Sequence, residues 1–518
     1  MSSYYMDQGK RIPLQPSRRF MAVRYQPGPQ VPMAVASVTS TPGFGDKRKA
    51  IEFPNEGVML LPIQAESSTS ALRATVNKSA TSVFHHEPDT TNEGVFEQSD
   101  GSMMFPDGQV NADLSGQSSA NLQALLQRVG ARIEQEPSTD FPFHVLTPDD
   151  GDAFRLANTL AEVHGLEAQP RFHRLLKLSR AGRSTATRMG PLDAQGMDPL
   201  MPRQWGLSAI KAHQAWSITH GEAPVRVAII DSGVDLGHPD LQANLARGYD
   251  AVDDDDQPMP MPDSHNAHGT ACAGIVAAVG RNGVGVIGVA PGCTVVPIRL
   301  ARVVDGYLHL RPGAESHCIY AAARLGAWVI SNSYGGPEQP DLTVRRAIAD
   351  VVRNGRGGKG CVVLAATGND NSTVKFPAAY PEVIAVAATR RDDDRCTPAD
   401  WGHFQGSCFG PQVSVGAPGL DIWTTDSRGE RGYTSSASPG GDYTGTFGGT
   451  SAACPFVAGV VALMFSANPN LTAQEVRHIL QATADKTGAM DYTDGRNDYL
   501  GHGRVNAFAA VREARRRR

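Results

Sequence analysis

Residues 225–241 read VRVAIIDSGVDLGHPDL. A nearly continuous apolar run ends in the carboxylate Asp231 and then a Ser-Gly turn, the pattern of a strand buried on both faces. An unpaired charge at the end of such a strand costs on the order of several kcal/mol, so Asp231 calls for a partner. Four more runs of the same kind follow: TVVPIRL (294–300), WVISNS (328–333), CVVLAAT (361–367) and VIAVAAT (383–389). Helical spacing lies between them, at 271–279, 316–325, 342–353 and 452–467. The alternation predicts an α/β domain, a mostly parallel sheet with helices on both faces. In such sheets the chemistry gathers at the carboxyl ends of the strands.

The chain of 518 residues is long enough for more than one domain. With 48 basic against 53 acidic residues the net charge is −5, which gives no reason to expect nucleic acid or an anionic membrane as partner. The best apolar run, Phe456–Phe465, is about half the ~20 residues that span a bilayer. The N-terminus has charges but no apolar block behind them, and the seven cysteines, an odd number, all lie from Cys272 onward. These features suit a reduced, cytoplasmic setting better than a disulfide framework.

Upstream of about residue 190 the character changes. Residues 1–19 read as a disordered leader, and Phe20–Val23 and Val58–Ile63 as short strands. Helix, strand, helix and strand follow at 119–133, 142–148, 152–165 and 168–178, as in a small α+β domain. The expected organisation is an N-terminal α+β region over 20–178, a linker at 179–197 and a catalytic domain over 198–518.

Three segments place polar residues at strand or helix ends. Asp231 closes the first strand, His268 opens HGTACAGIVAAV (268–279), and Ser451 follows a glycine pair in GGTSAACPFVAGVVALM (448–464). Each has a bland reading: a turn aspartate, a structural histidine, a serine N-cap. Together, in the order Asp, His, Ser, they resemble the subtilisin-like serine peptidases. That resemblance, over about 198–510, implies Ser451 as nucleophile, His268 as general base and Asp231 as its orienting carboxylate. It also implies Asn369, at the end of CVVLAATGND, as an oxyanion donor beside the Ser451 N–H. Ser333, Tyr334, Gly335, Ala366 and Gly368 become pocket walls for a substrate side chain.

DPLMPRQWGLS (198–208), HGTACAG, VISNSYGGPE (329–338) and NGRGGKGCVVLAATGN (354–369) bring the chain nearest the kexin/furin-like branch and its bacterial calcium-dependent relatives. Cys272, four residues after His268, should sit behind the imidazole. Ser232 and His265 stand where that branch carries acids, so a dibasic preference does not carry over. The branch implies a structural Ca²⁺ held by Asp198, Asp240, the Asn282 side chain and the carbonyls of Val279, Val284 and Val286. It also implies protein or peptide substrates, and an N-terminal pro-domain that keeps a zymogen silent. The rival reading is a catalytically silent scaffold or sensor whose N-terminal region binds a partner. Asp253–Asp256 reads as a solvated loop and Arg515–Arg518 as a disordered tail; a Cys396–Cys408 pairing stays open.

Overall fold

The computed structural model describes residues 4–24, 44, 50–53, 58–64, 72, 94–98, 101–139, 141–177, 198–261, 264–304, 307–336, 338–401, 405–434 and 442–518. The linker at 179–197 and the side chain of His265 lie outside the described residues. The chain forms two units: Met1–Lys177 with Val304–Gly313 and Asp341–Thr343, and Leu178–Val303 with Ala314–Pro340 and Val344–Arg518.

The second unit is built on the parallel sheet expected from the apolar runs. Its strands lie in the order Tyr249–Asp250, Thr294–Arg299, Arg226–Asp231, Val329–Asn332, Val362–Ala366, Ile384–Thr389 and Val413–Pro418. Ile230 pairs with Asn332, and Asn332 with Ala365. This register brings Asp231, Asn332 and Ala366 to one edge, the carboxyl edge. The helix Thr450–Ala467 packs on five of these strands and on the helix His268–Ala277. It is long and apolar enough to cross a membrane, yet 94% of it is buried in the fold, so it is the core helix. Apolar all round, it has water on no face.

Both helices begin earlier than their apolar period suggested, because the polar residues that open them are already helical. Two strands the sequence reading did not isolate, Ile422–Thr425 and Tyr443–Phe447, form an antiparallel pair. The Arg515–Arg518 tail is not disordered throughout: helix Ala507–Arg516 takes it in, and Arg516 and Arg517 both bond Glu513. The acidic loop is anchored too, since the buried Arg299 reaches Asp250 and Asp253 at 2.8 and 2.7 Å. Cys396 and Cys408 are separate thiols, with Cys408 donating to Asp370.

In the first unit an antiparallel sheet runs in the order Ala168–Lys177, Met103–Ala112, His144–Pro148 and Ala131–Gln135. Helices Ser119–Val129 and Ala153–Glu162 start on the side-chain caps Ser118 and Asp152, each accepting a first-turn N–H. Phe20–Arg24, Val58–Pro62 and Ile51–Phe53 make a second, smaller sheet. Residues 4–13, expected to be disordered, form the hairpin Tyr4–Asp7/Lys10–Pro13, held because Tyr5 is buried against Phe172. The unit also departs from the expected boundaries. Strand Tyr307–Leu310, from the middle of the 198–518 region, pairs with Arg174–Lys177 and so extends the N-terminal sheet.

Candidate active site

Asp231 ends its strand, and both of its carboxylate oxygens lie 2.9 Å from His268 Nδ1. The charge the strand could not leave unpaired thus finds its partner at a helix start. Gly269 makes the approach possible: a Cβ there would lie 2.2 Å from the Gly233 carbonyl oxygen and 3.0 Å from Asp231 Cβ. Ser232, where an acid was the alternative, is a brace. Its hydroxyl donates to the Asn266 carbonyl at 2.8 Å and accepts the Gly269 N–H at 3.2 Å, tying the strand end to the helix start. Burial pulls the His268 imidazole down, but the charge and hydrogen bond of Asp231 outweigh it and leave the net shift upward from 6.5. The edge of Phe447 closes one side of the ring, 5.3 Å between centroids.

Ser451 sits in the first turn of the core helix, after Gly449 at φ +91. The Thr450 N–H is taken by Asn369 Oδ1 at 2.8 Å and the Ala452 N–H by the Gly449 carbonyl. Among the described residues no acceptor faces the N–H of Ser451, so this orphan donor of a helix N-terminus points outward. Asn369 Oδ1 also accepts from Thr450 Oγ1, which fixes the amide so that Nδ2 is its donor end, beside Gly449. The Ser451 hydroxyl donates to the Ser333 carbonyl at 2.8 Å.

Cys272 lies behind the imidazole, as its spacing required. Its sulfur is 3.8 Å from His268 Nδ1 and 3.6 Å from the Ser451 carbonyl oxygen, spanning the two helices. Pro455 explains why that carbonyl is available: having no N–H, it cannot make the helix bond to the residue four before it. Burial, then the charge of Asp231, hold Cys272 well above its ordinary pKa, as a neutral thiol.

The expected pocket walls meet: a Cβ on Gly335 would stand 3.3 Å from Gly368 Cα. Tyr334 corrects the expectation, because its side chain turns inward and its hydroxyl donates to Glu315 and Asn332 at 3.1 and 3.2 Å. Its side chain is buried and does not line the expected pocket. Sequence reasoning missed Lys375, a buried ammonium 2.9 Å from Glu338 and 3.0 Å from Asp370, packed where a Cβ on Gly368 would be. A lysine in a loop gives no local sign of burial.

The profile of the subtilase family matches residues 223–503, more than half of the chain, and spans every residue of this arrangement. The chain belongs to the subtilase family. Thermitase of Thermoactinomyces vulgaris is 37% identical to this subtilase over 310 residues, 60% of this chain and 96% of that one. A calcium-dependent protease of Nostoc sp. is 36% identical over 337 residues, 59% of this chain and 49% of its own; the chain spans about half the length of this curated relative. Among solved structures, a protease from Pseudoalteromonas arctica is 29% identical with a TM-score of 0.50, covering 61% of this chain and 98% of that one. Fervidolysin from Fervidobacterium pennivorans shares the fold at a TM-score of 0.57 and 24% identity, over 78% of this chain and 61% of its own.

The residues implied for a cation in this subtilase also converge. Asp198 and Asp240 are 1% and 0% exposed. Asp240 accepts from Asn282 Nδ2 at 2.7 Å and from the Val286 N–H at 2.9 Å; Asp198 accepts the N–H groups of Arg281 and Asn282. All of these donors are neutral. Burial, with Asp198 nearby, pushes Asp240 up to about 7. Gly285 is obligatory at φ +50, since a Cβ would strike the Tyr443 ring. Val279, Val284 and Val286 join the cluster through their N–H groups, to the Asp240 carbonyl, Asn282 Oδ1 and Asp240 Oδ2; two buried carboxylates and an amide are oxygen donors of the kind calcium takes.

Proposed function

We propose that the protein is a serine endopeptidase that hydrolyses peptide bonds through an acyl-enzyme. The observation that carries this is the Asp231–His268 pair beside a helix whose first turn presents Ser451 with an unoccupied N–H, and Asn369 with its amide donor fixed. Ser451 Oγ attacks the scissile carbonyl and gives its proton to His268, whose Nδ1 is held by Asp231. The oxyanion is met by the Ser451 N–H and Asn369 Nδ2, donors placed before charge develops. His268 then protonates the leaving amine, and water completes the second half by the same route. Gly335, Ala366 and Gly368, with the Ser333 backbone, take the substrate side chain.

A structural calcium belongs to this reading. Asp198, Asp240, Asn282, Val279, Val284 and Val286 would hold it, and it would supply the positive charge the two buried carboxylates lack. The Nostoc relative, itself described as calcium-dependent, supports this. The N-terminal region serves as pro-domain, and the many buried thiols fit a reducing, cytoplasmic compartment.

The test is labelling by a fluorophosphonate and cleavage of a denatured protein substrate. Wild type should do both, and Ser451→Ala, which removes one oxygen, should do neither while melting unchanged. A silent wild type would favour the scaffold reading.

A further inference from the structure

The N-terminal unit is not made of N-terminal sequence alone. Strand Tyr307–Leu310 pairs antiparallel with the end of Ala168–Lys177 in four register pairs, from Arg174 with Leu310 to Lys177 with Tyr307. Leu308, His309 and Leu310 are all buried. His309 Nε2 lies 3.3 Å from His173 Nδ1, and its ring packs on Phe53 at 4.4 Å, while His173 stacks on Phe105 at 4.8 Å. A second insertion sits elsewhere on the unit. Asp341 accepts from the buried Arg174 at 2.5 Å, the Leu342 N–H donates to Gln169 at 2.7 Å, and Leu342 is buried among Phe141, Phe143 and Val145.

Both insertions come from sequence beyond the linker, so the core of this unit is completed by residues on the far side of any cut at 179–197. Losing them would strip away the strand that pairs with Arg174–Lys177 and expose the face of Phe53, His173 and Leu175. Separating the pieces therefore means unfolding part of the unit, not parting two finished surfaces.

We propose that residues 1–177 do not leave after a cut in the linker but stay as a tightly held second chain, bound by the strand Tyr307–Leu310 and the Asp341–Leu342 corner. This deepens the pro-domain reading and rests on it only for the occasion of the cut. It distinguishes a permanently two-chain enzyme from one that sheds its N-terminal region.

The experiment places a recognition site for a foreign, sequence-specific protease in 179–197 of the full-length Ser451→Ala chain, so that neither self-cleavage nor activity enters the result. After complete cutting, the fragments should co-elute at the size of the uncut chain in native buffer and separate in denaturant. Two native peaks would overturn the proposal, whatever becomes of the peptidase reading. With Leu308→Asp and Leu310→Asp together, the cut chain should release the N-terminal fragment; retention would overturn the role given to the strand. Should that pair disturb folding, judged by melting before the cut, Arg174→Ala with Asp341→Ala is the milder variant. It should raise the concentration at which the fragments part at least tenfold on dilution, and an unchanged value would overturn the role of the corner.

Discussion

His268 meets Asp231 through Nδ1, and this contact dictates a pH dependence. The imidazole acts as a base only when neutral, and Asp231 raises its pKa in the fold above 6.5 despite burial. Activity should therefore rise with pH through a midpoint above 6.5. The stability contributed by the charged pair is complete below the unfolded value and is lost as pH climbs through the folded one. Asp231→Asn should move the kcat midpoint down and lower kcat by about 10⁴, the size found for the corresponding change in a serine protease with an Asp-His-Ser triad; a pH–rate profile of both forms checks it. Asn369→Ala should lower kcat by roughly 10²–10³ with KM nearly unchanged, the loss known for the corresponding donor in subtilisin. Steady-state kinetics on one peptide substrate measures that split, and a raised KM with kcat intact would make Asn369 a binding residue.

At the scale of elements, two helices and one loop carry the arrangement. The His268 helix docks by Gly269, the Ser451 helix leaves a carbonyl open by Pro455, and Cys272 bridges them. The loop 279–286 closes over Asp240 through Asn282 and Val286. Because its two buried carboxylates meet only neutral donors, a cation bound there stabilises the fold by mass action, about 2.7 kcal/mol at one hundred times Kd. Calcium should raise the melting temperature and EDTA lower it, and Asp240→Ala should remove most of that difference. Differential scanning calorimetry reads both; melting indifferent to calcium would remove the site. Much of this level was legible in advance. Apolar runs located five of the seven parallel strands, the polar residues closing or opening elements singled out Asp231, His268 and Ser451, and the family resemblance added Asn369. The two-residue edge strand Tyr249–Asp250 carries no periodicity, and Val413–Pro418, VSVGAP, is broken by Ser, Gly and Pro and gives little apolar contrast.

For the whole molecule, the consequential feature is a unit assembled from three stretches of chain. Polar, small-residue connections are where nicking concentrates, and the 179–197 segment is of that composition. Incubated wild type should acquire a new N-terminus within 179–203, and Ser451→Ala should not; N-terminal sequencing of both decides it. A full-length, fully active wild type would end the pro-domain reading.

Local pattern alone determined the longer apolar strands and the amphipathic helices, because burial on two faces and amphipathic spacing are written into neighbouring residues; the hairpin at 4–13 and the pair Ile422–Thr425 and Tyr443–Phe447 carry no such pattern. Local pattern also marked where chemistry could sit, since an acid closing an apolar strand and a histidine and a serine opening apolar helices are unusual where they stand; the roles of those residues came from the family resemblance of the three motifs. Only the tertiary structure decided what those residues touch. Tyr334 turns inward because Glu315 and Asn332 offer its hydroxyl acceptors inside, Ser232 becomes a brace because the Asn266 carbonyl arrives beside it, and Lys375 is buried because two carboxylates surround it. Strand Tyr307–Leu310 joined the N-terminal sheet for the same reason: a strand's own residues set its conformation, while its hydrogen-bonding partner is whichever edge the rest of the chain brings to it.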